Sequence, residues 1–75
     1  MPKRLTVSGR ELVRALEKAG FAIRRYRGSH AVLKSSVTGA TVSVPIHGNA
    51  DIPVGTLHSI LRDAGLTRDD LADLL

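Results

Sequence analysis

Phe21-Ala22-Ile23-Arg24-Arg25-Tyr26-Arg27-Gly28-Ser29-His30-Ala31-Val32-Leu33-Lys34-Ser35 is the stretch that decides the fold. Phe21 and Ile23 before a Gly-Ser pair, and Ala31 and Leu33 after it, place apolar residues at alternate positions, the pattern of two strands joined by a turn. Phe21 to Tyr26 reads as a first strand and His30 to Ser35 as a second; beyond Val37-Thr38-Gly39, Thr41 to Val44 reads as a third. A slip of one residue carries every side chain to the other face of a sheet, so the apolar pattern selects the register. Setting Ile23 opposite Leu33, and Leu33 opposite Val42, gathers Phe21, Ile23, Ala31, Leu33, Val42 and Val44 on one face as the core. Arg24, Tyr26, His30, Val32, Lys34, Thr41 and Ser43 then share the open face, with Arg25 at the rim of the core side. This register puts Arg27-Gly28-Ser29 in the first turn. A two-residue Gly-Ser turn would oppose Ile23 to Lys34 and Arg24 to Leu33, and is rejected on that ground.

Outward from the strands, both flanks read as helices. Ser8-Gly9-Arg10-Glu11 has the form of a capping box, with Val7 and Leu12 as its hydrophobic staple. Leu12, Leu16 and Ala19, with Val13 and Ala15 beside them, follow a helical period, and Gly20 suits a left-handed C-terminal cap. Arg10, Arg14 and Lys18 form a stripe on the opposite side. After Pro45 and a loop, Pro53 fits the first position of a second helix, with Asp51 or Ile52 as its cap. Val54, Leu57, Ile60, Leu61 and Ala64 make its buried stripe, and Gly65 stops it. Thr67-Arg68-Asp69-Asp70 opens a short last helix whose Leu71, Leu74 and Leu75 either fold over the core or face a partner. The order α-β-β-β-α with a terminal helix makes an α+β two-layer sandwich, both main helices on one face of a three-stranded antiparallel sheet. It is the architecture of double-stranded-RNA-binding domains.

Residues 1–75 make one small domain. With no cysteine there is no disulfide, so packing must hold the fold. No apolar run approaches the ~20 residues of a membrane span, and Met1-Pro2-Lys3-Arg4 leads into no signal-peptide core. A cytoplasmic protein that does not engage a membrane is expected. Charge divides along the chain. Through Lys34, nine cations face only Glu11 and Glu17; from Ser35 on, Arg62 and Arg68 face five aspartates. Eight of the eleven cations are arginine, the side chain suited to bidentate phosphate contact, so the first half has the footprint of a polyanion binder.

The chemistry converges on His30. It follows a tight turn, faces the open side of the sheet, and shares a patch with Arg24, Arg25, Arg27 and Lys34. The strand register sets it opposite Pro45, which brings His47 along the same edge; His58 lies apart on the second helix. An imidazole held against RNA can take the proton of a 2′-hydroxyl so that this oxygen attacks the adjacent phosphorus, while nearby cations stabilise the phosphoryl charge. His47 or a water would protonate the leaving oxygen, and neither a metal nor a cofactor is called for. The competing reading is that His30 only hydrogen-bonds a phosphate. The serines carry no nucleophile motif and the acids sit far along the chain, so a Ser-His-Asp triad does not fit. Gly28-Ser29 is too short for a nucleotide-binding loop, and two histidines without a carboxylate make a poor zinc site. Tyr26 on the open face is available to stack on a base.

Gly20-Phe21, Gly28-Ser29-His30, Val44-Pro45-Ile46-His47, Gly55-Thr56-Leu57, and Ser59-Ile60-Leu61 with Ala64-Gly65-Leu66 occur in an order and spacing that resembles the HicA family of type II toxin-antitoxin toxins, which are mRNA interferases. The resemblance runs from Ser8 to Leu66. It implies the fold already derived, metal-independent endonucleolytic cleavage of mRNA, and neutralisation by a HicB-type antitoxin. It further implies that His30 is the catalytic histidine, with His47 a candidate helper. Arg24, Tyr26, Arg27, Gly28, Ser29 and Lys34 would contact RNA, and the antitoxin would cover the His30 face. His58 stands where many relatives have a basic residue, which weakens that helix as an RNA contact. The alternative is a non-catalytic RNA-binding module of the double-stranded-RNA-binding type.

Overall fold

The computed structural model describes residues 6–75, so Met1-Pro2-Lys3-Arg4, read above for a signal-peptide core, lies outside the described residues. The elements are α1 (Gly9–Lys18), β1 (Phe21–Arg27), β2 (His30–Ser35), β3 (Thr41–Pro45), α2 (Val54–Ala64) and α3 (Arg68–Leu74). The strands form one antiparallel sheet in the order β1-β2-β3. Residues from all three helices join Phe21, Ala31, Leu33, Val42 and Val44 in a single buried cluster, giving the expected α+β sandwich.

The start of α1 is fixed by reciprocal hydrogen bonds. The Glu11 amide donates to Ser8 Oγ (3.2 Å) and the Ser8 amide to Glu11 Oε1 (2.9 Å), which satisfies two backbone donors that a helix otherwise leaves free. Val7 and Leu12 are both buried, as a staple requires. The Ile52 amide donates to the Val7 carbonyl (2.8 Å) and Ser8 bridges to Asp51, so one short pairing ties the approaches to α1 and α2 together. That pairing moves the cap of α2. Asp51 and Ile52 are engaged with Val7 and Ser8, Pro53 itself is the N-cap, and Val54 is the first helical residue and half exposed rather than buried. Leu57, Ile60, Leu61 and Ala64 are buried as the period required.

The β2–β3 register is the expected one, with Leu33 opposite Val42 and His30 opposite Pro45. The β1–β2 register holds only as far as Ile23 opposite Leu33. A β-bulge at Arg24 then shifts it, so that Arg25 pairs with Val32, Tyr26 with Ala31 and Arg27 with His30. The extra residue removes the choice between the core register and the short turn: β1 keeps its apolar pairing and still closes on the two-residue Gly28-Ser29 loop. The three-residue turn is thus corrected. The faces past Arg24 change with it: Arg25 joins the open side beside Val32, while Tyr26 passes to the helix side beside the buried Ala31. Ile23 lies on the core side but is 36% exposed and outside the buried cluster.

The tail folds back. Thr67 and Asp70 form a second capping box, Leu71 is fully buried, and Lys18 Nζ donates to the Leu74 carbonyl at 3.1 Å, which docks α3 on the end of α1. Leu75 remains half exposed. Among the described residues no helix is long and apolar enough to cross a membrane.

Candidate nucleic-acid interface

The hairpin end of β1 and β2 sets the position of His30. Gly28 has φ +58°, while no described non-glycine residue has positive φ, so the loop takes glycine first and Ser29 second. This is the pattern of a type II′ turn, whose twist matches that of the flanking strands. The Ile46 amide donates to the Ser29 carbonyl at 2.9 Å and extends the β2–β3 ladder one step past Pro45. The turn is therefore held by β1 on one side and β3 on the other, and His30 lies between Arg27 and Pro45.

His30 is exposed, and its Nδ1 lies 3.4 Å from Ser43 Oγ. Ser43 pairs with Val32 and so stands diagonally across from His30 on the same face, within reach for a side chain. Sequence reasoning put Ser43 on this face without seeing that it meets the imidazole. The register carried the signal, since position 43 lies two residues from the partner of His30.

The cations surround this point. Arg27 is directly across from His30, and Arg25 is one pair further along the open face. Arg24 and Lys34 line a shallow depression with Ala22, Ser35, Ser36 and Gly39. All four are exposed, and no aspartate or glutamate occurs anywhere between Lys18 and Ala50, so the sheet offers them no acidic partner of its own. Val32 is buried although it faces this side, with Arg25 and Ser43 opposite it. Long cationic side chains shield apolar surface with their stems while their heads stay in water.

The remaining candidates are placed less closely. His47 is exposed in the loop after β3, two residues past Pro45, where its carbonyl accepts from the Ala50 amide at 3.0 Å. His58 lies on α2 in a separate depression with Leu61, Arg62, Leu66 and Arg68. Tyr26 is on the helix side of the sheet and does not share the open face of His30. Among the described residues no three histidine, aspartate or glutamate side chains come together as a metal-binding group.

Gly9 is a residue that the sequence reading passed over. A Cβ built there would collide with the Pro45 carbonyl oxygen and sit 3.1 Å from both Cα and Cγ1 of Ile46. The first turn of α1 thus presses directly on the end of β3 that faces His30. A glycine in a helical first turn, where propensity disfavours it, was the available signal.

A face of exposed arginine and lysine around an imidazole suits a phosphodiester, because the cations hold the phosphoryl oxygens while the ring moves a proton. The family model for the HicA toxin of bacterial toxin-antitoxin pairs matches residues 9–66, from the buried glycine of α1 to just past the end of α2. A search of curated proteins finds no match to the chain.

Proposed function

Because this chain belongs to the HicA family of bacterial toxin-antitoxin toxins, we propose that it is a metal-independent endoribonuclease that acts on mRNA, with His30 as general base. The supporting observation is the exposed imidazole on a sheet face that carries Arg24, Arg25, Arg27 and Lys34 and no acid. When Nδ1 carries the ring proton and donates it towards Ser43 Oγ, Nε2 is left as the acceptor for a 2′-hydroxyl proton. The 2′-oxygen then bonds to phosphorus as the bond to the 5′-oxygen breaks. The products are a 2′,3′-cyclic phosphate and a 5′-hydroxyl, whose proton comes from water or from His47. Arg27 and Arg25 are the nearest cations for the charge that builds on the phosphoryl oxygens; Arg24, Lys34 and the Gly28-Ser29 turn position the flanking backbone.

The toxin's antitoxin partner is, in this reading, a HicB-type protein that covers the His30 face with an acidic surface and so excludes RNA. His30→Ala tests the mechanism. The variant should keep its fold and its RNA affinity but lose cleavage of purified RNA by roughly a hundredfold or more, together with growth inhibition in cells. Cleavage that survives this substitution would overturn the role of His30. A parent protein that binds RNA but never cuts it would make the domain a binding module.

A further inference from the structure

The bulge at Arg24 brings Tyr26 to the helix side of the sheet, where it lines a groove with Arg10, Val13, Arg14, Glu17 and Ile46. The chain has two aromatic residues. Phe21 is buried, whereas Tyr26 is 60% exposed. Arg10 and Arg14 are one turn apart on α1, on one helical face and exposed. Buried Val13 and half-buried Ile46 add apolar surface. An aromatic face with apolar surface beside it and two guanidinium groups within the same groove is what an unpaired base and its adjacent phosphates need.

The groove has a direction. Gly9, next to Arg10, packs on Pro45 and Ile46, and Pro45 is opposite His30, so the Arg10 end lies nearest the site on the open face. Glu17, seven residues further along α1, places a carboxylate at the other end and opposes a phosphate there. The strand β1 is at the edge of the sheet, so among the described residues no further strand blocks a path from His30, past Arg27 and Arg25, over that edge to Tyr26.

We propose that this groove is a second RNA subsite, in which a nucleotide flanking the scissile position stacks its base on Tyr26 while Arg10 and Arg14 hold the neighbouring phosphates. It rests on the RNA-cleavage reading above and narrows it: the substrate is single-stranded and wraps the β1 edge. A duplex keeps its bases stacked and cannot offer one to Tyr26. The subsite also separates the Arg10–Arg14 stripe from the cations of the open face, since the two sets grip different phosphates.

Tyr26 is the only tyrosine and there is no tryptophan, so intrinsic emission reports on this one side chain. The test uses the full chain carrying His30→Ala, titrated with single-stranded oligouridylate, with affinity measured independently by anisotropy of labelled RNA. Tyr26 emission, corrected for absorbance, should fall saturably at the same concentrations at which RNA binds. Tyr26→Phe should keep the affinity, and Tyr26→Ala should lower it roughly five- to hundredfold. Arg10→Gln with Arg14→Gln should weaken binding and reduce the slope of log affinity against log salt by about 1.4, at about 0.7 per phosphate contact on a single strand. Glu17→Gln should strengthen binding. Unchanged Tyr26 emission at saturating RNA, or full affinity in Tyr26→Ala, overturns the subsite while leaving cleavage at His30 intact. Loss of affinity for the antitoxin protein alone would make the groove a protein surface and overturn it as well. A parent that binds no RNA in the anisotropy assay would instead remove the RNA reading itself.

Discussion

Two glycines at equivalent helix starts but in different surroundings should respond to alanine with opposite signs. Gly9 opens α1 and Gly55 stands in the first turn of α2. By propensity alone, alanine should stabilise either helix by up to about 1 kcal/mol. At Gly55 a Cβ meets nothing within 4 Å, so that gain should be realised. At Gly9 the new methyl group runs into the Pro45 carbonyl and the Ile46 backbone, and neither can swing aside as a flexible side chain would. Overpacking of this kind costs roughly 1–3 kcal/mol, and more where the backbone must move. With the upper end of that cost set against the propensity gain, about 3 kcal/mol less about 1, a net loss of about 2 kcal/mol is expected for Gly9→Ala. For a domain of this size each 1 kcal/mol shifts Tm by about 4–8 °C, so the midpoint should fall by about 8–16 °C, while that of Gly55→Ala holds or rises. Thermal unfolding followed by circular dichroism, with both substitutions made in the same parent chain, measures both. The close packing of α1 on β3 would be refuted if Gly9→Ala melted at or above the parent temperature. Equal losses at the two positions would also refute it, since they would implicate a shared property of the helix starts rather than contact with Pro45.

Two further outcomes follow from particular contacts. Ser43→Ala should lower the rate of RNA cleavage by roughly two- to tenfold, the worth of one modest hydrogen bond, with RNA affinity unchanged and Ser43→Thr restoring the rate; an unaltered rate in the alanine variant would show that Ser43 does not orient the imidazole. Leu71→Ala should destabilise the domain by about 2–5 kcal/mol, read from denaturant midpoints, because Leu71 is the fully buried residue by which α3 joins the core; a loss below about 0.5 kcal/mol would mean that the tail is dispensable to the core.

The elements of the fold were legible because their signals are local. Ser8 with Glu11, the positive φ of Gly20 and Gly65, and the spacing from Leu57 to Ala64 act within a turn or two of chain, and the structure realises each. The β2–β3 pairing was legible as well, since Leu33 with Val42 and Ala31 with Val44 leave one register that buries them. Contacts that depend on two distant segments were not. Gly9 against Pro45 and Ser43 against His30 require the packed arrangement before either neighbour exists. Exposure at the end of β1 also depends on lengths. The ten residues of α1 span ~15 Å, whereas the seven of β1 span ~23 Å, so the helix cannot cover the whole strand, consistent with the exposure of Ile23 and Tyr26.

The bulge is the instructive case, because it was written in the sequence and strict alternation hid it. Ile23-Arg24-Arg25-Tyr26-Arg27 reads apolar, polar, polar, apolar, polar. An unbroken strand would send one of the two adjacent arginines towards the helices; one extra residue lets Arg24 stay with Lys34 while Arg25 lies opposite Val32, both on the open face. The same insertion brings Arg27 directly across from His30, where a three-residue turn would have left it in the loop. It also puts Tyr26, the one exposed aromatic ring, beside Arg10 and Arg14. A bulge that re-aims side chains commonly sits beside a functional site. Here it sorts the basic residues of β1 into a face suited to phosphate around His30 and leaves Tyr26 for the groove behind it, so the bulge sets the composition of both proposed contact surfaces.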